Sequence, residues 1–180
     1  MAGRGSSLIQ MERLFVNWSV VSALGPNVGD SAMETNKRLM YGLGGLGLIP
    51  FLVCLLAASS GAEWLGVDPV AWFIAYGAVI LSFLGGILWG RALACDEPRL
   101  VAPLLLLSNL FALLAWLGLL LRWYEASLLV LSAGFVMVLW TELRFAPPSS
   151  TQRLRSYLTL RYWLTGSVLG LHLLLLWQYR

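Results

Sequence analysis

The chain has 180 residues, of which 59% are hydrophobic and only 12% charged, with a formal net charge of +3. A soluble domain carries about twice that charge, and one of this length could not bury so much apolar surface. The basic residues sit beside the hydrophobic segments, so they read as orientation signals and not as a nucleic-acid surface.

Residues 1–38 mix Gly, Ser, Asn and charges with apolar side chains, and they are expected to form an N-terminal extension, either flexible or an interfacial helix. Leu8, Met11, Phe15 and Trp18 recur at helical spacing, as an interfacial helix requires. Asn17 and Ser19 break the apolar run that a signal peptide needs, while Arg4, Arg13 and the early serines leave a weak transit peptide open. Met33 opens Met-Glu-Thr-Asn-Lys-Arg, which resembles a natural start ahead of a first membrane helix.

Residues 39–180 are expected to form a five-helix transmembrane domain. Its apolar stretches are Leu39–Ser59, Val70–Ala94, Ala102–Leu121, Ala126–Leu143 and Leu158–Trp177. Each is close to the roughly 20 residues that span a hydrocarbon core. Without water every backbone N–H and C=O must be satisfied within the segment, so these runs are helices; the alternating polarity of barrel strands is absent. The fold class is therefore all-α, a polytopic membrane helix bundle.

The first stretch carries Gly42, Gly44, Gly45 and Gly47 ahead of Pro50, which weakens the helix locally. A packing kink is the simpler reading and a broken helix lining a site the alternative. The glycine spacing fits neither a Rossmann fingerprint nor a P-loop.

In the second stretch Ala78, Ser82, Gly86, Gly90 and Ala94 recur every fourth residue, and Gly86–Gly90 is a GxxxG unit; Gly166 and Gly170 form another in the fifth. Such ridges let helix backbones approach closely. Packing within the chain, a dimer interface, and a groove for a lipid or cofactor are the three readings of Ser82, Gly86 and Gly90.

The connections are short. Asp96 is expected to cap the third helix with Pro98 in its first turn, Arg122–Glu125 make a tight hairpin, and Pro147-Pro148-Ser149-Ser150 cannot continue a helix. Lys37, Arg38, Arg91, Arg99, Arg144, Arg153, Arg155 and Arg161 fall on one side if the helices alternate, which predicts an inside N-terminus and an outside C-terminus. Trp64, Trp72, Trp123, Tyr124, Trp140, Tyr162, Trp163, Trp177 and Tyr179 suit interfacial belts.

Ionisable and polar residues inside a membrane are costly and single out candidate contacts. Arg161, Thr165 and His172 share a face of the fifth helix, because seven or eleven residues return a helix to nearly the same angle. His172 is read as a packing histidine, with a proton or ligand contact as the alternative. Arg91 and Glu142, at helix ends on the inner side, are expected to snorkel to water, with pairing as the alternative. Asn109 is expected to hydrogen-bond across helices. Cys54 and Cys95 are placed near opposite membrane faces, too far apart for a disulfide. No zinc or iron–sulfur ligand set, no cofactor fingerprint and no catalytic constellation is legible.

The stretch Tyr76-Gly77-Ala78-Val79-Ile80-Leu81-Ser82-Phe83-Leu84-Gly85-Gly86-Ile87-Leu88-Trp89-Gly90 resembles a signature of the transmembrane protein 69-like family of bacterial and mitochondrial membrane proteins. Gly47–Phe51 and Leu160–Thr165 are similar to its first and last helices, and the resemblance covers about Met40 to Leu176. Members often carry His or Arg between the Ile and the Trp, where this chain has Leu88. The resemblance implies five helices in a bacterial or mitochondrial inner membrane and supplies no reaction. The expected role is a non-catalytic assembly, scaffold or accessory subunit; a small transporter or channel-like protein acting as an oligomer is the alternative. The expected partners are membrane lipids and other membrane subunits or a second copy.

Overall fold

A computed structural model describes residues 25–61, 66–146 and 152–178. The interfacial helix expected around Leu8–Trp18 lies outside the described residues, as do Glu63, Trp64, Pro147–Ser150, Tyr179 and Arg180. Among the described residues six helices occur: α1 (Gly25–Leu46), α2 (Ile49–Ser60), α3 (Pro69–Leu93), α4 (Pro98–Leu120), α5 (Tyr124–Arg144) and α6 (Gln152–Gln178). The chain divides into two units at Leu43/Gly44, and α1 runs through the boundary expected at 38/39. Five segments are long and apolar enough to cross a membrane: Lys37–Ser60, Pro69–Leu93, Pro98–Leu120, Tyr124–Arg144 and Arg155–Gln178.

The ends of these helices follow from local chemistry. Between α1 and α2 the glycine-rich run breaks at Gly47 and Leu48, and Pro50, which has no N–H to donate, falls in the first turn of α2. The Tyr76 hydroxyl on α3 donates to the Gly47 carbonyl at 3.0 Å, so the break is tied to the neighbouring helix. At the start of α3, the Asp68 carboxylate accepts from the Val70 N–H at 2.8 Å and Pro69 occupies the first turn. The cap of α4 is Glu97, without a side-chain cap bond, and not Asp96: Pro98 takes the first helical position, which leaves the cap to the residue just before it.

From Gly44 onward, α2 to α6 pack in a ring, α2 on α3, α3 on α4, α4 on α5, α5 on α6 and α6 on α2, with α3 also touching α5 across the middle. Along α3 the buried positions Val70, Phe73, Ile74, Gly77, Ala78, Leu81, Leu84, Gly85, Leu88 and Ala92 recur with helical period. Two close approaches fix its neighbours. A Cβ on Gly85 would lie 2.9 Å from the Ser108 carbonyl oxygen, and the Ser108 hydroxyl donates to the Gly85 carbonyl at 2.7 Å. A Cβ on Gly134 would lie 2.5 Å from a Leu81 methyl, so α5 meets α3 only because that position has no side chain.

The outside is apolar. Phe83, Leu93, Leu106, Leu113, Leu129 and Leu173 are exposed, an arrangement that water disfavours and hydrocarbon accepts. Exposed Trp72, Trp123 and Trp177 lie at helix ends, as interfacial anchors do.

Candidate functional site

Two buried polar features lie on the inward face of α6, which carries Arg161, Thr165 and His172, all buried. At about 1.5 Å of rise per residue, Arg161 and His172 are roughly 16 Å apart along the helix.

The first joins α5, α6 and α3. Glu142, in the last turn of α5, is fully buried and does not reach water. One carboxylate oxygen, Oε2, accepts from Arg161 Nε at 2.7 Å, and Oε1 accepts from the Tyr157 hydroxyl at 2.8 Å. Arg91, near the end of α3, donates from Nη2 to the Phe145 carbonyl at 2.7 Å. The expectation that Arg91 and Glu142 both snorkel is therefore corrected for Glu142. Its partner is Arg161, about two and a half turns into the facing helix, and a buried carboxylate holds only when paired and hydrogen-bonded. Arg91 is half-buried and closes the free backbone end of α5. Arg161 Nη2 is buried with no partner. Tyr157 was not singled out from the sequence. The signal was present, since Tyr157 and Arg161 are four apart on α6 and so point the same way.

The second feature is His172, with no exposed surface. Its Nδ1 lies 2.8 Å from the Val168 carbonyl, so Nδ1 carries the proton and donates. Nε2 is buried and unpartnered. Rings of Phe51, Phe73 and Phe135 stand around the imidazole with centroids 5.9, 4.9 and 5.8 Å away. A Cβ on Gly77 would lie 3.9 Å from Nε2 and 3.3 Å from a Leu131 methyl, which ties the smallness of Gly77 to this cage.

The four-residue ridge of α3 is placed differently along its length. Ala78 is buried, but Ser82, Gly86 and Gly90 are exposed, and a Cβ at Gly86 or Gly90 would meet no neighbouring helix within 4 Å among the described residues. Four residues turn a helix by about 400°, so each step rotates the ridge by about 40° and three steps carry it about 120° out of the core. The intimate contact falls instead on Gly85. A Cβ on Gly166 or Gly170 would likewise meet no neighbouring helix within 4 Å among the described residues. Beside Ser82 a shallow groove of about 300 Å³ runs between α3 and α4, lined by Ala78, Val79, Ser82, Ala112, Ala115, Trp116 and Leu119.

Asn109 is exposed and its Nδ2 donates to the Leu105 carbonyl of its own helix at 2.9 Å, which corrects the expected cross-helix bond. Ser108, Phe111 and Ala115 take the buried face of α4 and turn Asn109 outward. Cys54 and Cys95 are free thiols. Among the described residues no group of three or more His, Cys, Asp or Glu side chains is placed to hold a metal ion.

The fold and its polar interior define a multi-pass helical membrane protein whose buried ion pair clasps helices together. The chain belongs to the transmembrane protein 69-like family: a family described as "Protein of unknown function (DUF3429)" matches residues 36–177. It is similar to "Transmembrane protein 69" of Xenopus tropicalis, with 40% identity over 132 residues, 70% of this chain and 51% of that protein. The chain thus spans about half the length of that relative. No solved structure matches.

Proposed function

We propose that the chain is a non-catalytic accessory subunit, an assembly or scaffold component of a bacterial or mitochondrial inner-membrane complex. One observation carries this reading: Ser82, Gly86 and Gly90 form a small-residue face on α3 that no helix covers among the described residues. In lipid there is no hydrophobic drive between helices, and attraction comes from close packing that small residues permit. A second membrane helix laid along this face would reach near-backbone contact, and the adjoining groove would receive its side chains. Arg91, Arg99, Arg144 and Arg155 support an orientation with this end of the bundle, and the N-terminus, inside. The inner-membrane assignment rests on the family likeness.

The test is purification in mild detergent of wild type, Gly86→Leu and Gly90→Leu. With open space at both positions the variants are expected to fold normally and to lose a co-purifying membrane protein. If the same complex survives both substitutions, the face is not a docking surface. If wild type runs as a bare homodimer, the oligomeric transporter becomes the better reading.

A further inference from the structure

We infer that Arg161 and Arg91 form a binding site for a phosphate-bearing anion at the basic end of the bundle. Both guanidinium groups hold the last turn of α5, Arg161 through Glu142 and Arg91 through the Phe145 carbonyl. Only one carboxylate among the described residues, Glu142, is ion-paired with either of these two cations. Among the described residues the one salt bridge is Arg161–Glu142, so the charge on Arg91 is met by a neutral carbonyl alone.

The carboxylate is also fully engaged. Oε2 takes Arg161 Nε and Oε1 takes the Tyr157 hydroxyl, which leaves Nη2 of Arg161 without an acceptor although its side chain is only 9% exposed. A buried, charged, unpartnered donor calls for an acceptor, and the net positive charge of the cluster selects an anion. Guanidinium groups match phosphate oxygens in charge and in fork geometry.

Depth identifies the source that fits best. Arg91 lies two residues from the end of α3 and Glu142 two from the end of α5, so these two members of the cluster sit about 3 Å inside the ends of their helices. That is the boundary between hydrocarbon and headgroups, where basic pockets between helices take anionic lipid phosphates. Half-exposed Arg91 gives such a headgroup its entry.

The experiment uses the full chain, delipidated in detergent and titrated with phosphatidylglycerol or phosphatidylcholine, with bound lipid counted by native mass spectrometry. Phosphatidylglycerol is expected to bind about tenfold more tightly, the worth of one charge-assisted hydrogen bond. Arg161→Lys keeps a cation for Glu142 but removes the second donor nitrogen, and Arg91→Gln removes the other charge. Each is expected to lower phosphatidylglycerol affinity about tenfold, while Arg99→Gln, on the exposed start of α4, leaves it unchanged. Excess inorganic phosphate that displaces the lipid makes free phosphate a ligand of the same site; failure to displace it makes the headgroup the ligand. Equal binding of the two lipids, or undiminished phosphatidylglycerol binding by folded Arg91→Gln, overturns the proposal, and the latter decides even if Arg161→Lys does not fold.

Discussion

Removing the Glu142 carboxylate would strand the Arg161 guanidinium and the Tyr157 hydroxyl in the bundle with nothing to bind. A buried pair broken on one side costs about 3–5 kcal/mol. Glu142→Ala is therefore expected to lower the melting temperature sharply in detergent, and Tyr157→Phe, which removes one bond to a charged acceptor, to cost about 1.5–3 kcal/mol. Replacing both ends of the pair, Glu142→Leu with Arg161→Leu, should recover most of the loss, because no charge is then left unpaired. A Glu142→Ala protein as stable as wild type would contradict this account of the clasp. His172 behaves differently. Its unpartnered Nε2 costs about 1–3 kcal/mol, roughly offset by the bond from Nδ1 to Val168. His172→Leu should accordingly leave thermal stability near wild type; a fall as large as that of Glu142→Ala would show that the imidazole is held by more than its Phe cage.

At the scale of elements, α3 organises the bundle, since it packs on α2, α4 and α5. Its two adjacent glycines separate packing inside the chain from packing outside it. Gly85→Leu drives a side chain into the Ser108 carbonyl and Phe111 and is expected to abolish folded protein, whereas Gly86→Leu enters open space and should not. Fluorescence-detected gel filtration of the two variants checks the contrast, and equal behaviour would put the rotation of α3 in error. The sequence showed that α3 carries a small-residue ridge, but not which part of it turns inward. A strict four-residue repeat drifts against the 3.6-residue turn, and only the neighbours reveal where it leaves the core. The break before Pro50 was legible because glycine and proline act locally. Its stitch to Tyr76, 29 residues away, was not. Tyr76→Phe should cost about 1 kcal/mol by loosening that join, readable as faster deuterium exchange around Gly47.

For the whole molecule, the number and extent of the spans were legible because hydrocarbon thickness and the need to satisfy every backbone group impose long apolar runs. Pairing between spans left no such trace. Arg161 was grouped with Thr165 and His172 on one face, but the carboxylate that meets it comes from a different helix. The proposed orientation predicts that a reporter fused after Arg180 is active only outside the inner membrane; activity only inside would require a different topology.

The claim that the uncovered face of α3 docks another membrane protein is tested most directly by cross-linking in native membranes. With Cys54 and Cys95 replaced by serine, Gly86→Cys and Gly90→Cys add a Cβ that meets no neighbouring helix within 4 Å among the described residues and carry a thiol outward from it. Leu173→Cys, exposed on α6, is the control. The account predicts a specific adduct with a different polypeptide from Gly86→Cys or Gly90→Cys and none from Leu173→Cys. An adduct formed only between two copies of the chain, or no adduct from thiols that a maleimide labels readily, would contradict it.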